Sequence, residues 1–362
     1  MATRTPRSKM PDDKKMQKFF SALERGRGAK GDDDWRPVLM KRDRDLIRDW
    51  CDYLTGRRLA WSTIMSYAQD IAMLSRFVAH RPGQRDLTNA TRADVESWLA
   101  ECVKQGLSAS THHRRHMSAR AFDLYLVDQG WRNDLRVPKQ APAVELQDIR
   151  TIDIVDIVTV CVMLRDQAQR AQKRRKGGVA NFIEVDAKRD AAIILLALSC
   201  GLRVDELARL TLDDYDPDAK TLRIRFGKGG KERMQVVPAD ITLLDKKLAS
   251  PLDALNAWRR VRDDLPLAGE SDALWIGRKG PLTTNGIRLI MKRRCNKAGV
   301  AVFTPHRFRH TWAHWCKVHG MQDGDLKTLG GWSSDSMVHR YGRSHAQARA
   351  VDVQRNLFSA RD

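Results

Sequence analysis

Between residues 41 and about 130, apolar side chains recur every three or four positions almost without a break, a period that admits stacked helices and little else. Leu46, Ile47, Trp50 and Leu54 share one face, and Ile64, Tyr67, Ile71, Leu74 and Val78 share another. Thr91 and Asp94 have the spacing of a capping box ahead of Val95, Trp98, Leu99 and Cys102, and Gly106 closes that segment. A fourth helix, over 110–129, opens on His112, His113, Arg114, Arg115 and His116 and turns apolar at Phe122, Leu124, Tyr125 and Leu126. These four segments describe a small all-α domain.

The remaining chain divides around it. Residues 1–37 are polar and carry ten Lys/Arg against six Asp/Glu, which reads as a flexible basic arm with room for a short helix over 14–23. The helical domain is expected over 38–135. Residues 136–149 form a linker within a stretch that holds two prolines and no period. A second domain is expected over 150–341. It contains an early helix, a basic insert (QRAQKRRKGG) and an apolar run, Ala191 to Leu198, that reads as a buried helix. Strong alternation occurs only between Thr221 and Val237, where TLRIRF, a GKGG turn and KERMQVV predict a β-hairpin. Helices are predicted over 244–263, 284–298 and 305–319, with a short one near Leu326. The fold class is mainly α with a small β-sheet, and residues 342–362 form a tail of helical spacing.

Charge narrows the function. Of 362 residues, 65 are Lys or Arg and 45 are Asp or Glu, a net charge of +20. That excess points to a polyanion, with nucleic acid first and an anionic membrane surface second. No apolar run approaches the roughly 20 residues of a membrane span, and no signal core precedes the charged N-terminus, so a cytoplasmic protein is expected. The six cysteines form no C-x-x-C pair, which supports neither a zinc module nor a disulfide framework.

Five segments carry candidate chemistry: CGLRVDELARL with Arg203 and Glu206, GKGGKER with Lys228 and Lys231, TPHRFRHTW with His306 and Arg309, LGGWSS with Trp332, and HRYGRS with Tyr341. Each has a plainer reading. Arg203 could pair with Glu206 or Asp205, either lysine could be a solvated turn residue, and Trp332 could be core. His306, His310 and His314 recur every four residues and could present a metal face, although Arg307 and Arg309 in the same turn would repel a cation. The 112–116 cluster could likewise bind zinc, but a DNA-backbone face is preferred.

In this order and spacing the five segments resemble the catalytic domain of the tyrosine recombinases, the phage-integrase family, closely over 185–345 and more loosely over 41–130. The resemblance implies a helical SAM-like core-binding domain and a catalytic domain closing as a C-shaped clamp on DNA. It implies a site-specific recombinase in which Tyr341 attacks a scissile phosphodiester. The products are a 3′-phosphotyrosyl link and a free 5′-hydroxyl, and strands exchange through a Holliday junction. Bond energy is conserved, so no cofactor and no metal are expected. Partners are a double-stranded DNA recombination site and three further copies in a homotetramer on two sites, with accessory DNA-bending or directionality proteins admitted. No membrane is involved, and the location is the nucleoid.

Elementary chemistry fits those assignments. Arg203 and Arg309 can each offer a bidentate fork to a phosphate, which a point-charge lysine cannot match. Tyrosine, with a reference pKa of about 10, needs a base or neighbouring cations to become a nucleophile. His306 is the expected base. Lys228, preferred over Lys231, would protonate the leaving oxygen, and Glu206 would orient the site. Trp332 replaces the commoner histidine and can donate an indole N–H but do no acid–base work. DNA-reading candidates are His112, Arg114, Arg115 and Lys231, with Asn285, Arg288, Lys292 and Arg293 on the predicted 284–298 helix. The tail is expected to dock on a neighbouring protomer. Rival readings are a type IB topoisomerase-like relaxing enzyme and a catalytically inactive DNA-binding regulator.

Overall fold

The computed structural model describes residues 13–24, 39–83, 85–140, 151–174, 180–225, 232–243 and 246–339, together with Tyr341, Val351 and Gln354. The chain separates into two compact units, Met1–Leu146 and Gln147–Asp362.

The first unit is helical: α1 (Asp13–Glu24), α2 (Lys41–Gly56), α3 (Trp61–Ala79), α4 (Arg92–Lys104) and α5 (Ala109–Asp128). The apolar faces legible in the sequence close around Ile47, Trp50, Ile64, Ile71 and Leu126, all fully buried. Thr91 and Asp94 form a reciprocal capping box at the start of α4, and Ser108 caps α5 through the Thr111 N–H. Asp43 ties three segments together, since its carboxylate accepts from the Ser75 hydroxyl on α3 and from the Leu87 N–H at 3.1 Å.

The second unit is built on α6 (Ile154–Gln172) and α7 (Phe182–Cys200). From Ala192 to Leu198 α7 is buried on every side, because α6 and the later helix α9 (Pro251–Arg262) both pack on it. A short helix, α8 (Val204–Ala208), leads into a three-stranded antiparallel sheet of β1 (Tyr215–Asp216), β2 (Thr221–Ile224) and β3 (Arg233–Val236), in that order. Two further antiparallel pairs follow, β4 (Ile241–Leu243) with β5 (Lys246–Ala249), and β6 (Ile276–Gly277) with β7 (Gly280–Pro281). The rest is α10 (Thr284–Ala298), α11 (Pro305–Val318), α12 (Asp323–Gly330) and α13 (Asp335–Val338). Trp258 and Trp275 stack in the core, and the Trp275 indole donates to the Leu207 carbonyl at 2.8 Å, anchoring the end of α8.

The expected helix over 244–263 is shorter than its sequence suggests. Ser250 caps it through the Asp253 N–H, and Pro251, which lacks an N–H and has φ preset for a first turn, starts it. The residues before that stop pair as a hairpin instead. The 221–237 region does pair as predicted, with Leu222 opposite Gln235 and Ile224 opposite Arg233. Its inward face is unusual: Arg233 and Gln235 are buried, while Met234 and Val236 face outward.

Candidate active site

Gly201 ends α7 in the left-handed conformation at φ 56, and a Cβ there would fall 2.1 Å from the Trp312 ring. The reversal delivers Arg203 to the position just before α8. The Glu206 carboxylate, one turn on, accepts from the Arg203 backbone N–H and from its Nη1, each at 2.8 Å. From the neighbouring sheet, Arg233 reaches the same carboxylate with both terminal nitrogens, at 3.1 and 2.7 Å. One buried carboxylate thus holds two guanidinium groups side by side.

The third guanidinium arrives on α11. Thr304 caps that helix and Pro305 begins it. Arg309, four residues on, is only 3% exposed and donates to the Gly201 carbonyl at 2.7 Å and to the Gly330 carbonyl. At the end of α12 three consecutive carbonyls therefore receive three different arginines: Leu329 from Arg233 Nε at 2.7 Å, Gly330 from Arg309, and Gly331 from Arg203 Nη2 at 2.9 Å. Helix C-terminal carbonyls carry partial negative charge, so they order cations without neutralising them. Gly331 makes the approach possible, because it turns left-handed at φ 59 and a Cβ would lie 3.1 Å from Arg233 Nη1.

The charges do not balance. Three arginines face one carboxylate. Burial alone would raise the Glu206 carboxyl, but the hydrogen bonds and charge of Arg233, with the Arg203 N–H, hold it below its ordinary range. Burial, with Arg203 beside it, pushes the Arg309 guanidinium down to about 9, so it stays charged at neutral pH while ill-supplied with counter-charge. The arrangement favours a further anion.

Tyr341 sits at the edge of this cluster. Trp332 bridges the two, with the Arg309 guanidinium 4.4 Å from its ring centroid and the Tyr341 ring at 5.3 Å. Tyr341 is 3% exposed, and its hydroxyl lies 2.8 Å from Nδ1 of His310. His306 is exposed, with its ring 4.0 Å from that of His310. A cleft of about 430 Å³ opens beside Arg203, His306 and Arg309, and α10 adds Arg288 and Lys292 to its wall. Asn285 and Arg293 are exposed on the same helix.

Arg203, Glu206, His306, Arg309, Trp332 and Tyr341 thus meet within one unit. Lys228 and Lys231 fall in 226–231, and the tail in 342–362, both essentially outside the described residues. The expected DNA face on α5 is different. Arg115 is 7% exposed, with its Nη1 2.8 Å from the Cys102 sulfur and its guanidinium 5.7 Å from the Trp98 ring centroid. Arg114 is paired with Asp70, and His112 is half-buried. Arg115 serves the packing of the helical unit. Sequence reading missed Arg233 and Gln235, which both donate to Leu329, and gave His310 no part in the tyrosine site. The signals were there: an arginine and a glutamine on one face of the returning strand, and a histidine directly after Arg309.

The chain has relatives among known proteins. The chain matches the phage integrase family over residues 167–348 and the SAM-like N-terminal domain of phage integrases over 47–130. It is 31% identical to the tyrosine recombinase XerC of Corynebacterium efficiens over 289 residues, 78% of this chain and 80% of that one. Among solved structures, a lambda integrase dimer bound to a COC′ core site superposes with a TM-score of 0.61 at 15% identity, covering 93% of this chain and 89% of that one. A lambda integrase tetramer bound to a Holliday junction gives 0.58 at 15% identity, covering 89% and 87%. At that identity the likeness is one of fold.

Proposed function

Because the chain belongs to the phage integrase family and is a tyrosine site-specific recombinase, we propose that it cuts and rejoins duplex DNA through a covalent bond to Tyr341. The observation that carries this is the excess of cation next to a buried tyrosine, three guanidinium groups around one carboxylate with Trp332 joining them to the phenol. A phosphodiester is the anion that chemistry asks for. Arg203 and Arg309 hold its non-bridging oxygens and counter the charge that grows on them in the transition state. His306 and the Trp332 indole add N–H donors. Lys228 protonates the departing 5′ oxygen. Glu206 and Arg233 keep the two phosphate-binding arginines in register.

The 3′-phosphotyrosyl link conserves the energy of the broken bond, and a 5′-hydroxyl from a partner duplex reverses the step. Four copies on two DNA sites then exchange strands through a Holliday junction, in keeping with the integrase tetramer of the same fold. The exposed side chains of α10, Asn285, Arg288, Lys292 and Arg293, read the duplex, and phosphate contacts make binding steeply salt-dependent. The tail, 342–362, docks on the neighbouring protomer, so its deletion leaves DNA binding intact and weakens recombination. The protein works in the cytoplasm, on the nucleoid.

The test is covalent capture. Wild-type protein is incubated with a pool of randomised duplexes in chelator-containing buffer, and adducts that survive detergent are recovered and sequenced. Discrete sites with wild type and no adduct with Tyr341→Phe are expected. Relaxation of supercoiled plasmid by a monomer without site preference would instead make it a topoisomerase-like enzyme.

A further inference from the structure

The phenol oxygen that has to lose a proton already rests 2.8 Å from an imidazole nitrogen, and that nitrogen belongs to His310. We propose that His310 is the base that takes the Tyr341 proton, a catalytic residue additional to the Arg, Lys, His-x-x-Arg, Trp and Tyr set. This rests on the reading of Tyr341 as nucleophile and goes beyond it.

The local packing favours the assignment. Tyr341 is almost wholly buried with Trp312, Ala313, Leu326 and Val338, and its ring lies 5.3 Å from that of Trp332 and 5.5 Å from that of His310. Its backbone is fixed by a hydrogen bond from its N–H to the Val338 carbonyl at 2.9 Å. Bulk water is a poor acceptor for a hydroxyl so enclosed, and the imidazole is within proton-transfer reach. His310 directly follows Arg309 on α11, so one rigid helix carries the phosphate clamp and the base about 100° apart. His306, which the sequence offered as that base, lies one turn earlier and lines the cleft with Arg203 and Arg309, which places it on the phosphate side.

The step balances. With its hydrogen on Nε2, His310 offers the Nδ1 lone pair. The Tyr341 O–H bond breaks and its proton passes to Nδ1, giving imidazolium. A bond forms from the phenol oxygen to phosphorus, the bond to the 5′ oxygen breaks, and that oxygen takes a proton from Lys228. In rejoining, the 5′-hydroxyl returns its proton to Lys228, and imidazolium returns its own to Tyr341.

Asparagine places a side-chain amide near the position of Nδ1, so His310→Asn keeps a hydrogen bond to the phenol but cannot accept a proton. On a duplex recovered from the wild-type adducts, single-turnover cleavage by His310→Asn should fall by about 100-fold or more, with DNA binding and melting temperature held. Added imidazole should partly restore His310→Ala. That result decides the matter should the asparagine variant fold poorly. A duplex with sulfur at the bridging 5′ position has a leaving group that needs no proton. It should restore Lys228→Ala and leave His310→Asn slow. Cleavage by His310→Asn at the wild-type rate, or its recovery on the sulfur substrate, would overturn the proposal while the wild-type adduct keeps Tyr341 in place. Wild type forming no adduct would sink the underlying reading and this one with it.

Discussion

Both units bury carboxylates beside arginine or hydroxyl groups, yet Asp43 and Asp70 in one and Glu206 in the other are shifted in opposite directions. In the helical unit Asp43 is served by the Ser75 hydroxyl and one backbone N–H, and Asp70 by the Ser118 hydroxyl, the half-exposed Arg114 and, at 3.9 Å, the buried Arg115. Burial outweighs these contacts and raises both carboxyls. At these two carboxylates burial is the larger influence. In the catalytic unit Glu206 is gripped by two arginines and lowered, while Arg309 leans on carbonyls and is pushed down to about 9. Around Glu206 the arginines outnumber the carboxylates. A carbonyl satisfies a guanidinium's hydrogen bond without cancelling its charge, so three arginines on the end of one helix remain a site for an incoming phosphate. A buried arginine by itself therefore says nothing of ligand binding, and the local balance of cation and anion around it says a good deal.

That contrast is open to attack by substitution. The largest effect is expected from Glu206→Gln, which leaves Arg203 and Arg233 facing each other. Removing one member of a buried pair costs on the order of 3–5 kcal/mol, so denaturant unfolding of the catalytic unit should shift strongly and DNA cleavage should disappear. Wild-type stability in Glu206→Gln would mean that the carbonyls alone suffice.

Next, anions should stabilise the catalytic unit. At a hundredfold excess over the dissociation constant, a single-site ligand adds about 2.7 kcal/mol. Inorganic sulfate should raise the melting temperature of wild type and leave that of Arg309→Met nearly unchanged. An equal rise in both would place the anion elsewhere.

Acid should separate the units further. The lowered Glu206 contributes stability that is complete above the ordinary carboxylate range and is lost as the pH falls through its folded-state value. The raised Asp43 and Asp70 run the other way, because their cost is present at neutral pH and is relieved as they protonate. Hydrogen exchange corrected for intrinsic rate should therefore quicken in α8 on acidification before it does in α2 and α3. The reverse order would contradict the assignment of the shifts. The smallest effect is expected from Asp43→Asn, whose amide oxygen accepts from the Leu87 N–H while its amide N–H donates to the Ser75 hydroxyl, and which removes a charge that burial disfavours. Its cost should stay near 1 kcal/mol or below, the scale of a single exchanged hydrogen bond.

Much of this was legible in the sequence, and the limits have physical causes. Helical periods and caps located α2 to α5, because an apolar stripe and a Thr91–Asp94 box are local signals. The ordered segments around Arg203, His306, Arg309, Trp332 and Tyr341 foretold residues that share one site. What no local pattern reports is which backbone atom awaits a side chain. The α5 basic cluster looked like a DNA surface, but Arg115 packs on Trp98 and Cys102. Strand β3 alternates apolar and polar as a half-buried strand should, yet its polar face turns inward, since Arg233 and Gln235 meet a distant carbonyl of Leu329. The β4–β5 pair was hidden because LLDKKLAS has helical composition, and only the Ser250–Pro251 stop fixes where the helix starts. His310 was visible as one of three histidines four apart, and without the fold nothing connected it to a tyrosine 31 positions later.

The most direct measurement is the mass of the residue joined to DNA. Adduct formed by the wild-type protein in chelator, digested with nuclease and protease, should yield the peptide containing Tyr341 heavier by a nucleotide esterified to the phenol. A nucleotide on any other side chain, or an unmodified Tyr341 peptide from protein that has cut its duplex, would contradict the account.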